Sequence, residues 1–382
     1  MSTASPPARA AAAEQAVISR HLRRLLALPG TRLAIIGWPP TVPERLFARW
    51  HYWWQAQLLD CLVDAQLRAP DAGRLRRIGR VVRGHRLRNG WRWTNAYFDD
   101  MAWWALALER AASVSGRSAA AGFAAPVGRL AAAITDAWSD DAGGGIPWRK
   151  GDVFRNTPAN GPAAILLART GNSARAAATA DWIDRRLRMP GTDLIADGLR
   201  PGKNQGEVAV DLTVYTYCQG VVLGAELELV CSADRDASRI HRLVAAVRRS
   251  LATPRGVLTG HGGGNGGLFT GILVRYLAQI ATRLPGNGAD DRRSRQTAAE
   301  LVIASADSAW QHAVWADGLP IFGADWSLTA ALPGRSGVRG NAIAGSGREP
   351  ERDLSVQLSG WMLMEAADLI STSGCEDRTE GG

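Results

Sequence analysis

The fold is decided by the stretch Asn95-Ala96-Tyr97-Phe98-Asp99-Asp100-Met101-Ala102-Trp103-Trp104-Ala105-Leu106-Ala107-Leu108, in which two adjacent carboxylates lead directly into an apolar run. A helix that is apolar on nearly all of its sides is buried on all of them, so the run from Met101 predicts an inner helix. Carboxylates that point toward a core are costly unless partners or a cavity receive them. The stretch therefore predicts a site at the head of a buried helix.

The same order, aromatic or polar residues first and then apolar and small ones, recurs in six segments. Most of them lie 40 to 60 residues apart, which leaves room for one helix pair, and the last gap is wider. Amphipathic, arginine-rich helices such as Asp181–Leu187 lie between them. One inner and one outer helix per repeat predicts an all-α fold, an (α/α)6 barrel of six inner and six outer helices, with the polar inner-helix heads lining one mouth. An irregular helical bundle or an open solenoid is the alternative. The six segments are Trp54–Leu59, Asn95–Asp100, Asn156–Gly161, Tyr215–Gly220, Gly267–Ile272 and Val356–Trp361.

Helix patterns dominate the rest of the chain, and strand-like alternation is nearly absent. The Gly-, Arg- and Ser-rich segment 332–351 is predicted to be a long loop. No linker divides the chain, so we expect one domain over residues 1–372, followed by a disordered tail over residues 373–382. The predicted helices are 10–28, 44–68, 97–114, 119–138, 158–169, 173–188, 212–231, 236–251, 267–283, 292–313 and 352–371.

The composition is strongly basic. The chain has 382 residues, is 46% hydrophobic and carries a formal net charge of +9, and almost all of its positive charge comes from arginine. Three readings of this excess stay open: a solvated basic surface, peripheral contact with an anionic membrane or envelope surface, and nucleic-acid binding. No run of like charge is long enough for a nucleic-acid arm, so no nucleic-acid partner is expected.

Sequence signals for metals, cofactors and membrane spans are absent. The four cysteines form no C-x-x-C pair and the six histidines form no H-E-x-x-H motif, so no metal site is expected. The G-x-G-x-x-G match at Gly262, Gly264 and Gly267 follows no strand, so no dinucleotide or other cofactor is expected. The N-terminus lacks an uninterrupted apolar region of the signal-peptide type. These features predict a cytoplasmic location, with cell-envelope association left open.

Three Asp-Asp pairs occur, so a pair by itself carries little information. Asp290-Asp291 lies beside arginines and is interpreted as solvated or as a helix cap, and Asp140-Asp141 precedes three glycines and is interpreted as a turn. Only Asp99-Asp100 leads into an apolar helix. For that pair, a site and a simple N-cap in the helix dipole are equally compatible with the residues.

Two adjacent carboxylates at a helix head suit the hydrolysis of a glycosidic bond. One carboxyl protonates the leaving oxygen, and the other attacks the anomeric carbon or activates water. Neighbouring helical residues point about 100° apart, so both can reach a sugar held over the helix end. Adjacent side chains suit the separation of about 5–5.5 Å found in retaining enzymes better than the wider one of inverting enzymes.

Tryptophans favour a carbohydrate site over a cap. The chain has 15 of them, and several lie close in sequence to the aspartate pair. Sugar rings have apolar faces that lie on flat aromatic surfaces. Trp91, Trp93 and Trp148 lie in polar loops, where they indicate a ligand or a protein interface, whereas Trp103 and Trp104 are interpreted as core.

Four stretches, in order along the chain, resemble glycoside hydrolase family 76, the endo-α-1,6-mannanases. The most specific is Asn95–Trp104, and the supporting ones are Gly143–Trp148, Tyr215–Gly220 and Gly266–Tyr276. The resemblance spans roughly residues 50–370. It implies an (α/α)6 barrel and an open groove for a mannan chain.

The resemblance also implies a retaining mechanism with Asp99 as nucleophile and Asp100 as general acid/base. The partner that it implies is an α-mannan polysaccharide, and the basic surface and missing signal peptide suggest envelope mannan or a lipid-linked lipoglycan such as lipomannan or lipoarabinomannan. The residues placed along the groove by analogy are Asn95, Tyr97, Trp148, Asn156, Asn160, Tyr217, Gln219 and Asn265.

Three other functions stay open. A sugar epimerase on the same barrel would usually need histidine bases, which the predicted inner-helix heads almost lack. A catalytically inactive glycan-binding protein would bind without turnover. A helical interaction or membrane-surface module would use the arginine-rich outer helices instead of the mouth.

Overall fold

The computed structural model of the chain describes residues 4–202, 207–233, 235–334 and 349–379. The helices of this described part are α1 (Pro6–His21), α2 (Val42–Arg45), α3 (Tyr52–Arg68), α4 (Ala72–Arg88), α5 (Phe98–Ser113), α6 (Arg117–Asp136), α7 (Thr157–Arg169), α8 (Ser173–Leu187), α9 (Thr216–Ala233), α10 (Ser238–Ser250), α11 (Phe269–Arg283), α12 (Ala289–Gln311) and α13 (Leu354–Thr379). The strands are short: β1 (Leu22–Arg23), β2 (Leu33–Ala34), β3 (Arg155–Asn156), β4 (Gly198–Pro201), β5 (Val208–Asp211), β6 (Val314–Ala316) and β7 (Leu319–Ile321).

Six helices form a closed inner ring. Helix α3 packs against α5, α5 against α7, α7 against α9, α9 against α11, and α11 against α13, and α13 packs back against α3. All six start at or next to the six repeated segments of the sequence. The (α/α)6 barrel predicted from those segments is confirmed, and the bundle and solenoid alternatives are not.

The outer ring consists of α1, α4, α6, α8, α10 and α12, each packed against the inner helices beside it. Five of these were predicted from periodicity. The sequence pattern does not predict α4, whose 17 residues include seven arginines and three glycines. Because an outer helix returns the chain between successive inner helices, all inner helices run in the same direction and their N-terminal ends meet at one mouth.

Glycines let the inner helices approach each other closely near that mouth. A β-carbon on Gly220 of α9 would lie 2.8 Å from the Cα atom of Leu273 in α11, and one on Gly271 would lie 2.7 Å from the Cα atom of Ser359 in α13. Real side chains do not tolerate such distances. Small residues in the repeated segments are therefore required by helix packing.

Four inner-helix heads carry an amide that holds a neighbouring loop, and we call these side chains the amide clamps. The side-chain oxygen of each clamp accepts the backbone N–H of one loop residue, and its side-chain NH2 donates to the C=O of that same residue. The NH2 also donates to a backbone carbonyl just before the clamp's own helix. All these bonds are 2.8–3.1 Å long. Polar residues at these heads were expected to line the mouth, but the four clamps are buried and fully hydrogen-bonded. The clamps and their loop residues are Gln55 with Ala34, Asn160 with Ile146, Gln219 with Ile195, and Gln357 with Phe322.

The largest sheet lies in the loops near the mouth. Strand β4 pairs antiparallel with β3 and with β5, with Gly198 opposite both Asn156 and Asp211. Thr157, at the start of α7, donates its backbone N–H to the carbonyl of Asp197 at 2.7 Å. This sheet therefore fixes Asp197 beside the heads of the inner helices.

Helix α13 ends at Thr379, and residues 380–382 lie outside the described part. The predicted domain bounds and the predicted tail over residues 373–382 stay predictions. Residues 335–348 of the predicted loop 332–351 also lie outside the described part. Among the described helices, none is long and apolar enough to cross a membrane.

Candidate active site

The aspartate pair lies in the first turn of α5, directly behind Phe98. Neither carboxylate is the N-cap of this helix, because that position belongs to Tyr97, which makes no side-chain capping bond. Both aspartates are half-buried, whereas the residues from Met101 to Leu108 are buried. The cap interpretation is therefore wrong, and the pair stands at the boundary between the mouth and the core.

The Asp99 carboxylate accepts two hydrogen bonds. The indole N–H of Trp148 donates to its Oδ2 at 3.0 Å, and the backbone N–H of Asp100 donates to its Oδ1 at 2.8 Å. Burial raises the pKa of Asp99 to about 6, and the two donors limit the rise because they stabilise the ionised form.

The Asp100 carboxyl has a different environment. Its Oδ2 accepts one bond, from the Asn95 side-chain N–H at 2.6 Å. Burial, and then the negative charge of Asp99, raise the pKa of Asp100 well above its usual value. Two adjacent carboxyls of which one ionises more readily than the other form an acid and base pair.

The loop that carries Trp148 is held in place from several sides. Gly144 and Gly145 have φ angles of 111° and 95°, which only glycine adopts readily, and pack against the indole rings of Trp138 and Trp182. The backbone of Trp148 then bonds on both sides, from its N–H to the Phe154 carbonyl at 2.7 Å and from its C=O to the Phe98 N–H at 2.9 Å. The donor to Asp99 is therefore preorganised.

A third carboxyl, Asp197, faces the same site, although the sequence does not predict it. Burial, then Asp211, raise its pKa to about 7, and the charge of Asp99 contributes to the rise. The thiol of Cys218 donates to its Oδ1 at 3.8 Å. Asp197 lies in a loop without periodicity, so only the pairing of β3, β4 and β5 reveals its position.

Aromatic rings form one wall of the mouth. The ring of Tyr217 stacks on Phe269 with centroids 3.9 Å apart and planes within 5°. Tyr217 also lies near enough to Asp99 for that charge to contribute to the raised pKa of its hydroxyl, after burial, Cys218 and Asp197. Nearby, the indole N–H of Trp54 donates to the exposed side chain of Asn265 at 3.1 Å. Flat faces and amides of this kind suit a sugar chain.

The residues placed along the groove by analogy therefore separate into two sets. Three lie in the structure as helix caps or amide clamps, with their side chains buried: Asn156, Asn160 and Gln219. The other five lie around the aspartate pair or at the mouth: Asn95, Tyr97, Trp148, Tyr217 and Asn265.

Comparison with known proteins agrees with this geometry. The family model described as glycosyl hydrolase family 76 matches residues 34–339, about four fifths of the chain. No curated protein matches the chain.

Solved structures match over nearly the whole chain. The α-1,6-mannanase GH76A of Salegentibacter sp. HEL1_6 is 26% identical, with a TM-score of 0.79, over 96% of this chain and 100% of that one. An inactive variant of that enzyme, in which two consecutive aspartates are replaced by asparagine, was solved with α-1,6-mannotriose. The Lin0763 protein of Listeria innocua is 24% identical, with a TM-score of 0.78, over 98% of this chain and 99% of that one, and shows the same fold.

Proposed function

This chain belongs to glycosyl hydrolase family 76, and from that premise we propose that it hydrolyses α-1,6-linked mannan with retention of configuration. The observation that carries the proposal is the unequal environment of two adjacent carboxyls at the mouth. Asp99, with the two hydrogen bonds and a pKa of about 6, is the nucleophile. Asp100, whose pKa is raised further, holds the proton and is the general acid.

In the first step the Asp100 proton passes to the glycosidic oxygen while Asp99 attacks the anomeric carbon. The glycosidic bond breaks, the shortened mannan leaves, and a mannosyl ester forms on Asp99. In the second step the ionised Asp100 takes a proton from water, whose oxygen attacks the anomeric carbon and releases Asp99. Each carboxylate then returns to its starting protonation.

The surrounding residues have supporting parts in this proposal. Trp148 holds the nucleophile by its indole N–H, and Asn95 orients the acid. Asp197, which has no arginine or lysine partner among the described residues, is placed to accept hydrogen bonds from the sugar hydroxyls. Tyr217 and its stacked partner Phe269 offer an aromatic surface to an apolar ring face.

The finer substrate that we propose is mannan of the cell envelope, including lipid-linked mannan. The linkage is supported by the Salegentibacter relative, which is an α-1,6-mannanase. The envelope source is supported by the basic surface of this chain, with its net charge of +9, because envelope lipids and lipoglycans carry anionic groups.

The test is incubation of the purified chain with linear α-1,6-mannan and, separately, with lipid-linked mannan, with the products resolved by size. We expect shortened α-1,6-mannan from the wild type. Asp99→Asn and Asp100→Asn should each lower kcat/KM by several orders of magnitude, because each removes one of the two chemical roles. Proton NMR at early times should show the α-anomer of the new reducing end.

The chain offers a matched control in Asp290→Asn, since Asp290 belongs to another Asp-Asp pair and is exposed. This variant should keep wild-type activity. Binding of mannan without turnover by the wild type would instead indicate a glycan-binding protein. An initial β-anomer would contradict the retaining mechanism, and activity on free but not on lipid-linked mannan would contradict the finer substrate alone.

A further inference from the structure

The outer helix α4 presents a row of arginines without acidic partners. Arg76, Arg80 and Arg83 follow the i, i+4, i+7 spacing of one helix face and are exposed. They form no ion pair with any of the described residues. The opposite face of α4 behaves differently, since Arg74 is buried there and pairs with Glu14 at 2.7 Å. The exposed row is therefore not part of the ion pairing that holds α4 to the barrel.

The hairpin between β1 and β2 adds further arginines to the same surface. Arg32 donates its backbone N–H to the carbonyl of Arg80 at 2.9 Å, which places the hairpin directly against α4. Burial, and then surrounding guanidinium groups, lower the pKa of Arg32. These groups are, in order of effect, those of Arg24, Arg80, Arg77 and Arg23. Like charges gathered in this way repel each other unless an anion is bound among them.

The sequence explains why no acid neutralises this surface. From Gln15 to Pro43, and again from Ala72 to Phe98, the chain contains no aspartate or glutamate. These two segments supply the hairpin and all of α4. Of the acids near α4, Glu14 is bound by Arg68, Arg74 and Arg77, and Asp71 caps the start of the helix, where its side chain accepts the backbone N–H of Arg74.

Two leucines stand exposed at the tip of the same hairpin. Leu26 and Leu28 are 58% and 44% exposed, although the neighbouring Leu25 is buried with Phe47 beneath them. Leu26 and Ala27 have φ angles of 44° and 62°, a left-handed conformation that β-carbons disfavour. The backbone thus adopts a costly turn in which two large apolar side chains meet solvent beside a cluster of cations.

We propose that this basic face, which comprises Arg24, Arg32, Arg76, Arg80 and Arg83 with Leu26 and Leu28, docks the barrel on the surface of an anionic lipid bilayer. Charge complementarity supplies the long-range attraction, since each basic residue near an anionic leaflet contributes to binding. The two leucines enter the headgroup boundary, as apolar residues of peripheral proteins do. A nucleic acid would use the arginines and leave the leucines without a partner.

The helix that carries the basic face leads along the chain to the catalytic mouth. From Arg80 to Arg88, α4 rises roughly 12 Å, and the loop that follows it leads to Asn95 and the aspartate pair. A barrel docked through α4 thus keeps its mouth within reach of glycans that extend from lipid headgroups. The inference goes beyond hydrolysis itself, because docking requires no sugar.

The test is sedimentation of the full-length chain with vesicles of phosphatidylcholine alone or with about a third phosphatidylglycerol. We expect binding only to the anionic vesicles, weakened by salt because screening shortens the range of the charges. Each arginine contributes about fivefold in affinity, so replacing Arg24, Arg80 and Arg83 with serine should weaken binding roughly a hundredfold. Leu26→Asn together with Leu28→Gln should weaken binding to these vesicles while preserving the left-handed turn.

The matched control replaces Arg242, Arg249 and Arg255 with serine. These three arginines are exposed and form no ion pair with the described residues, and they lie on or just after α10, on the opposite side of the ring from α4. The control should bind vesicles like the wild type, and all variants should cleave free mannan equally. Equal vesicle binding by the variant that lacks Arg24, Arg80 and Arg83 and by the control would overturn the proposal, as would binding to duplex DNA that anionic vesicles do not displace. Because the vesicles contain no mannan, failure here leaves the proposed hydrolysis unaffected.

Discussion

At the scale of single residues, the site depends on giving two identical side chains different properties. Asp99 and Asp100 are adjacent in the chain and similarly buried. Only the Asp99 carboxylate, however, accepts one hydrogen bond from an indole N–H and another from a backbone N–H. Hydrogen bonds to the ionised form lower a carboxyl pKa, and a neighbouring negative charge raises it. Trp148 therefore influences which aspartate holds the proton.

This difference predicts the pH dependence of kcat/KM. Activity should fall as pH drops below about 6, because Asp99 becomes protonated and loses its nucleophilicity. It should also fall at high pH, where Asp100 loses its proton. Trp148→Phe removes a donor to the ionised form, so the pKa of Asp99 rises and the acidic limb moves up by about one pH unit. The measurement is a pH–rate profile, whose limbs report the pair as a whole.

Trp315→Phe is the control for that shift, because Trp315 is an exposed tryptophan on β6. Its profile should overlay the wild-type profile. If the acidic limb of Trp148→Phe also stayed in place, Trp148 would be a packing residue and the assignment of Asp99 as the lower-pKa carboxyl would lose its support.

The sequence predicts some site residues better than others for a physical reason. Asp99 and Asp100 can be recognised in the sequence because the burial of a charged pair beside an apolar run is costly in any fold. Asp197 cannot be recognised in the sequence, since its burial comes from strands that pair only after the barrel forms. Asn160 and Gln219 lie on the predicted helix heads, but a helical pattern does not say whether a side chain reaches the mouth or a neighbouring loop.

At the scale of elements, the amide clamps attach the loops of the mouth to the inner helices. The side-chain amide of Gln219 in α9 bonds through both its oxygen and its NH2 to the backbone of Ile195, two residues before Asp197. A clamp thus fixes the loop that presents the third carboxyl. These bonds contribute strongly to stability because they are buried. A buried backbone group left without a partner destabilises the folded state by more than an ordinary hydrogen bond stabilises it.

Gln219→Ala should therefore destabilise the protein by about 2–4 kcal/mol, since it leaves both the N–H and the C=O of Ile195 unpaired. Urea unfolding measures the change. Gln296→Ala on the exposed side of α12 is the control and should change the free energy of unfolding by less than about 0.5 kcal/mol. Equal stability of the two variants would show that water replaces the clamp.

The composition of the outer helix α4 explains why the sequence pattern does not predict it. Gly73, Gly79 and Gly84 weaken helix propensity along α4, and its arginines leave few apolar positions to reveal a period. Packing nevertheless requires one of the glycines, because a β-carbon on Gly84 would collide with the backbone of Arg32. Contact with the hairpin therefore accounts for the formation of this helix better than its local sequence pattern does.

At the scale of the whole molecule, several buried carboxyls make stability depend on pH. Burial raises the pKa of Asp197 and of Glu365 to about 7. A carboxyl with a folded pKa above its unfolded value of about 4 binds a proton in the folded state that the unfolded state lacks. Its contribution to stability is therefore lost as pH rises through the folded pKa.

The free energy of unfolding should accordingly decrease by about 1–2 kcal/mol between pH 6.5 and pH 8 from these two groups. His21 and His261 add little in this window, because burial lowers their pKa values to about 4 and they stay neutral. Thermal or urea unfolding across the window measures the slope. Asp197→Asn should reduce it, and a slope equal to that of the wild type would contradict the raised pKa of Asp197.

The closed ring has a consequence for how the protein is made. Helix α13 fills the gap between α11 and α3, and it also packs on α1, so the barrel closes by contact between its latest and its earliest helices along the chain. Until it leaves the ribosome, the nascent chain holds an incomplete barrel with apolar surfaces of α3 and α11 uncovered, which invites aggregation. We therefore expect the barrel to close only after α13 has left the ribosome, and the nascent chain to depend on chaperones until then.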